Sequence, residues 1–150
     1  MAESKKVKDA AKKAWETMRR RGNPPQFDTT IPEGRILKHA YKAASAAIGR
    51  AKINELPVDE KWMLASHLLI EKQGYCCDVT GIRFNVDYKT KGAGGTHLAP
   101  SPDQIRPGEG YVRGNVRWVL WAVNRAKGEM PEDLFIKICR EVVNRHDAKD

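Results

Sequence analysis

Pro102-Asp103-Gln104-Ile105, then Gly110-Tyr111, then Gly114-Asn115-Val116, then Asn124-Arg125-Ala126-Lys127-Gly128 form an ordered series of short segments in a chain of 150 residues. From Gly74 onward glycine and proline are frequent, and the apolar residues come in short β-branched or aromatic clusters, a pattern that predicts strands and loops. Pro107 to Gly110 separates two candidate strands, about Ala99 to Ile105 and Tyr111 to Trp118. A helix from Val119 to Gly128 is expected next, ended by its glycine, and Pro131 opens a last helix through about His146. Upstream, Cys76 to Phe84 carries a Thr80-Gly81 turn, and Thr90 to Thr96 is a glycine-rich loop.

The half of the chain before Gly74 reads as helices. From Glu33 to Lys52, Ile36, Leu37, Ala40, Ala44, Ala47 and Ile48 follow a helical period on a face made mostly of alanine, which allows close packing. Asp59 caps a third helix that stops near Gly74, with Trp62 and Leu69 facing the core. Ser4 to Arg21, rich in alanine and lysine, reads as a first helix. Gly22, Asn23, Pro24 and Pro25 end it, and Gln26 to Ile31 is an extended connector. The expected fold class is α+β: a helical N-terminal half, then a strand, loop, strand and helix unit, then a C-terminal helix. Residues 1–25 form a basic helical arm, and residues 26–150 a single domain.

Lysine and arginine outnumber aspartate and glutamate by 27 to 19, a formal net charge of +8. Residues 1–21 concentrate it, with eight basic side chains against three acidic ones. Such a balance favours a polyanionic partner, and DNA over a membrane, because no amphipathic helix carries a broad aromatic and leucine face. The apolar runs Ala43 to Ile48 and Val116 to Val123 fall far short of the roughly 20 residues of a membrane span. No apolar run follows the basic N-terminus as in a secretory signal, and three cysteines are too few for a disulfide scaffold. A cytoplasmic location is expected. Cys76 and Cys77 read as buried thiols, and Trp118 and Trp121 as core aromatics.

The segments quoted first resemble the ββα-metal finger of HNH endonucleases of phage type. In that family the first strand ends in Asp-His, the second begins with Asn, and the helix supplies a His or Asn three residues before a Lys. Gly74-Tyr75-Cys76-Cys77-Asp78-Val79-Thr80-Gly81-Ile82 is similar to the entry of such fingers, so the likeness covers about residues 73–130. It implies Asp103 and Asn124 as ligands of magnesium or manganese, hard cations suited to oxygen donors. It implies Asn115 as the organiser of the loop between the strands, and Lys127, Arg125, Arg113 and Arg117 as contacts to backbone phosphates. The basic side chains Lys5, Lys6, Lys12, Lys13, Arg19, Arg20 and Arg21 would track the DNA backbone from the arm.

The resemblance departs at one place. The histidine that serves the family as general base is here Gln104, which cannot take a proton near neutral pH. His97, seven residues earlier, is a candidate substitute base, against the alternatives of a phosphate contact or a half-buried strand residue. His39, His67 and His146 read as structural or surface residues. The resemblance therefore implies a metal-dependent DNA endonuclease that hydrolyses phosphodiester bonds with water, leaving a 5′-phosphate and a 3′-hydroxyl. The alternative is a catalytically impaired DNA-binding protein that keeps the scaffold, and a third is a protein-binding module.

Overall fold

The computed structural model describes Lys5, residues 25–88 and residues 96–149. Of the arm expected over residues 1–25, Lys5 is helical and exposed; Lys6, Lys12, Lys13, Arg19, Arg20 and Arg21 lie outside the described residues. The described elements are helix α1 (Pro32–Ile53), helix α2 (Glu60–Ala65), helix α3 (Leu68–Lys72), strand β1 (Pro100–Gln104), strand β2 (Val116–Leu120), helix α4 (Trp121–Lys127) and helix α5 (Glu132–Asp147). The class is α+β, and among the described residues no helix is long and apolar enough to cross a membrane.

Helix α1 begins with Pro32 in its first turn, where the missing N–H costs nothing. Its alanine-rich face sinks Ile36, Ala40, Ala44, Ala47 and Ile48 into the core, and the small side chains let it lie close against β1 and α2. Asp59 caps α2 by accepting from the Trp62 amide at 3.0 Å, as expected from the sequence. The single helix expected from Asp59 to Gly74 is broken at Ser66 and His67. The Ser66 carbonyl accepts from the Trp118 indole N–H at 2.8 Å, and the Ser66 hydroxyl turns back onto the Met63 carbonyl at 2.6 Å. The buried face is also one residue further on than expected: Met63 and Ile70 are buried, while Trp62 and Leu69 pack half-buried against the core.

Strands β1 and β2 pair antiparallel, with Pro100 opposite Leu120, Asp103 opposite Arg117 and Gln104 opposite Val116. The second strand starts later than the expected span of Tyr111 to Trp118. Residues 105–115 form a loop instead, in which Gly108, Gly110 and Gly114 all have positive φ. Its middle is tied to the chain between α1 and α2: the Tyr111 amide donates to the Pro57 carbonyl at 2.9 Å, and the Asp59 amide to the Tyr111 carbonyl at 3.1 Å. At Gly110, with φ of 88°, an added Cβ would lie 2.0 Å from the Pro57 oxygen, so only glycine permits this approach.

Helix α4 leaves β2 without a connecting loop and packs on both strands, and Trp118 at the centre of β2 is fully buried. Trp121, expected in the core, is only half-buried. Cys77 is buried and Cys76 partly so. The Thr80-Gly81 turn forms, with the Gly81 amide donating to the Cys77 carbonyl at 2.9 Å. Helix α5 buries Phe135 but exposes Leu134, Ile138, Val142 and Val143.

Candidate functional site

The register sets Asp103 and Arg117 side by side on one face of the hairpin, and the Arg117 Nε donates to the Asp103 Oδ2 at 3.0 Å. From the last turn of α4, the Lys127 ammonium donates to both Asp103 oxygens, at 3.2 and 3.4 Å, and to the Gln104 carbonyl at 3.3 Å. Arg117 also reaches Glu132 in the first turn of α5, its Nη1 donating to Oε1 at 2.9 Å. The cluster of two acids and two bases is electrically balanced; Asp103 and Lys127, 3% and 1% exposed, are nearly dry, while Glu132 opens to solvent. Burial opposes the Arg117 charge, but hydrogen bonds and opposite charges from Glu132 and Asp103 outweigh it and raise the pKa. The Arg117 Nη2 is buried and has no hydrogen-bond partner among the described residues.

Lys127 and Arg117 are thus not surface cations awaiting a phosphate; in this arrangement both are committed to Asp103. The physical reason is the cost of an isolated buried carboxylate, which only paired and hydrogen-bonded charge offsets. Arg113 and Arg125 are exposed. Arg125 lies over the Trp121 ring, 5.1 Å from its centre.

Asn115, fully buried, braces the loop between the strands. Its Oδ1 accepts from the Arg106 amide at 2.9 Å, and its Nδ2 donates to the Gly110 carbonyl at 2.8 Å and the Arg106 carbonyl at 3.2 Å. The Gln104 Oε1 accepts from the Gly110 amide at 2.8 Å and the Gly108 amide at 3.2 Å. The two amide side chains therefore hold one loop from both of its ends.

Asn124 on α4 donates its Nδ2 to the Ser101 hydroxyl at 2.8 Å and to the Pro102 carbonyl at 3.1 Å. Asp103, Gln104 and Asn124 converge on one cleft of about 350 Å³, whose other walls include Asn54, Tyr111 and Glu129. His97 does not join them. Its carbonyl accepts from the Ala122 amide, beyond the end of the hairpin where Pro100 meets Leu120. Asp103 lies three residue steps beyond Pro100, about 10 Å of β-strand. The His97 ring instead lies 5.6 Å from that of Trp121.

Among the described residues no group of three histidine, cysteine, aspartate or glutamate side chains could hold a metal ion. Oxygen-bearing side chains that line the cleft include Asp103, Glu129 and Asn124, the last with its NH₂ spent on Ser101 and Pro102. A carboxylate offers about four lone-pair directions, of which Arg117 and Lys127 contact up to three. One carboxylate and one amide oxygen suit magnesium or manganese, cations that keep several waters and take phosphate oxygens as further ligands.

Two features of the site were not read from the sequence. Glu129 reaches the cleft only because α4 ends at Gly128, whose C-cap conformation has φ of 53°. Glu132 joins the ion pairs as a first-turn acid of α5, and Pro131 was the available signal for that turn. Comparison with family models, with curated proteins and with solved structures finds no match for the chain.

Proposed function

We propose that the chain is a metal-dependent DNA endonuclease with an HNH-like strand, strand and helix unit. The observation that carries this reading is the convergence of Asp103, Gln104 and Asn124 on one cleft, beside a loop that Asn115 pins. Asp103, Asn115 and Asn124 are of the types and in the order that the resemblance calls for, with Gln104 in the place of its histidine. Magnesium or manganese, held by Asp103 and Asn124, would stabilise charge on the leaving oxygen as a Lewis acid.

The chain's own residues have separate tasks. Arg117 and Lys127 fix the Asp103 carboxylate in a single orientation, and the Ser101 and Pro102 acceptors do the same for the Asn124 amide. Gln104 keeps its NH₂ as a donor that can orient a water or a phosphate oxygen at the cleft, while its carbonyl holds the loop. It does not remove a proton.

A second reading, a DNA-binding protein that keeps the scaffold without turnover, is favoured by one specific observation. No histidine is among the described residues that line the Asp103 cleft. Loss of a general base costs about 10² to 10⁴ in rate.

The test is nicking of supercoiled plasmid with magnesium or manganese, beside a chelator control, the near-isosteric variant Asp103→Asn and the truncation Asn124→Ala. Nicking by the native chain that disappears with chelator and falls in both folded variants supports the nuclease. A plasmid retarded in a gel but never nicked at any metal concentration overturns it in favour of the binding protein.

A further inference from the structure

A second cleft, of about 520 Å³, adjoins the first and shares Asn124 with it as a common wall. The contrast between the two is chemical. The first carries Asp103 and Glu129, whereas the second is lined by His39 and Arg50 of α1 and by Trp121 and Arg125 of α4, over Ser101 and Pro102 of β1. No acidic side chain is among the described residues that line it.

Helix geometry builds this cleft. While Ile36, Ala40, Ala44 and Ala47 turn into the core, the neighbouring stripe His39, Ala43, Ala46 and Arg50, at steps of four, three and four residues, lines the opening. Ala43 and Ala46 leave room between the two polar ends. From the other side Trp121 and Arg125, one helical turn apart, bring a guanidinium lying over the indole face. Ser101 accepts from Asn124, so its hydroxyl hydrogen remains to be donated. Burial first, and then the Lys42 charge, push the His39 imidazole below its ordinary value. Near neutral pH it therefore serves as an uncharged hydrogen-bonding group beside the two arginines.

We propose that this cleft holds the DNA phosphate next along the strand from the one at Asp103, gripped by Arg50 and Arg125 with Ser101 and His39 as further hydrogen-bond partners. Planar guanidinium groups from two different helices match the oxygens of a phosphodiester, and the shared Asn124 makes the two clefts consecutive stations on one strand. This inference rests on the DNA reading above and deepens it by assigning the strand a path.

The test is the salt dependence of binding to a fluorescein-labelled DNA duplex, followed by anisotropy. In the full chain, Arg50→Gln with Arg125→Gln removes one phosphate contact and should lower the slope of log K against log salt by about 0.9 and weaken binding at least about tenfold. Lys137→Gln with Arg140→Gln, on the exposed side of α5, removes the same charge away from the cleft and should change both far less. If Arg50→Gln unfolds the chain, Arg125→Gln alone, at an exposed position, carries the test, with a smaller slope change in the same direction and weaker binding than the α5 variant shows.

Equal effects of the cleft and α5 variants overturn the proposal while leaving the DNA reading intact. Absence of DNA binding by the native chain at low salt overturns both. Inorganic phosphate bound calorimetrically and lost in the cleft variant, with DNA affinity unchanged, assigns the cleft to a free anion and overturns the strand path.

Discussion

The Asp103 carboxylate and the Lys127 ammonium, 24 residues apart in the chain, meet at 3.2 Å with both side chains almost entirely out of contact with water. Arg117 completes the arrangement from the facing strand. Asp103 thereby joins β1, β2 and α4 through charge at the same point where it borders the cleft, so stability and site geometry depend on one side chain. Removing it would leave two cations facing each other with Glu132 alone to offset them. Asp103→Ala should therefore cost about 3–5 kcal/mol of unfolding free energy, read from urea titration. Lys127→Met should cost less, because Arg117 still covers the carboxylate. In the double variant the two effects should be well short of additive. Additive losses would show that the pair does not act as a unit.

The loop of residues 105–115 owes its shape to the amide side chains at its two ends more than to apolar packing. Asn115→Ala orphans the Arg106 amide and the Gly110 carbonyl inside the protein, a loss of about 2–3 kcal/mol. Asn115→Asp should be at least as damaging, since it sets a carboxylate oxygen against the Gly110 and Arg106 carbonyls that now accept hydrogen bonds. Gln104→Ala, at a partly exposed position, should cost about 1 kcal/mol and speed amide exchange at Gly108 and Gly110. Unchanged exchange there would remove Gln104 from the role of brace.

Sequence periodicity made α1 legible nearly to the residue, because its apolar positions repeat at helical spacing: Glu33 to Lys52 was expected and the helix runs Pro32–Ile53. Asp59, Gly128 and Pro131 marked the helix ends they now occupy. The break at Ser66 was not legible, since it follows from the Trp118 indole, 52 residues away in the chain. Tyr111 to Asn115 resembled strand because Tyr111 and Val112 belong to the β-branched and aromatic clusters between the glycines. The side chain of Asn115 and the positive-φ glycines settle the segment as loop, and neither effect has a periodicity. At the site, the residue types of Asp103, Gln104, Asn115 and Asn124 were visible in order. The commitment of Lys127 and Arg117 to Asp103 was not, because a basic residue in sequence looks the same whether it ends in solvent or beside a buried carboxylate.

Restoring the missing base is the direct way to separate a weakened nuclease from a scaffold. Gln104 already borders the cleft, and at that position an imidazole would stand next to Asp103. Gln104→His should raise plasmid nicking by at least about tenfold over the native chain, part of the 10² to 10⁴ that a general base contributes. The gain should follow the ionisation of one histidine, growing between about pH 5.5 and 7.5 as the imidazole loses its proton. The same substitution gives up the two bonds to Gly108 and Gly110, so thermal stability should fall slightly while activity rises. Equal nicking by both chains would mean that proton removal does not limit the rate.

His67 gives the fold a pH dependence of its own. It is buried beside the rings of Phe27 and Tyr41, and its Nδ1–H donates to the Leu64 carbonyl at 3.0 Å. Burial pushes its pKa below the ordinary value, and the Leu64 bond and the Glu71 charge only partly oppose that shift. A histidine whose pKa is lower folded than unfolded binds its proton more readily in the unfolded chain. Its stabilising contribution is therefore complete above about pH 6.5, the unfolded value, and is lost as pH falls through the lower, folded value. His39 acts in the same direction. Unfolding free energy should thus decline on acidification below about pH 6.5, before the carboxylates titrate. His67→Phe, which keeps the ring contacts, should flatten that part of the profile, leaving the smaller slope due to His39. An unaltered profile in His67→Phe would assign the acid sensitivity elsewhere.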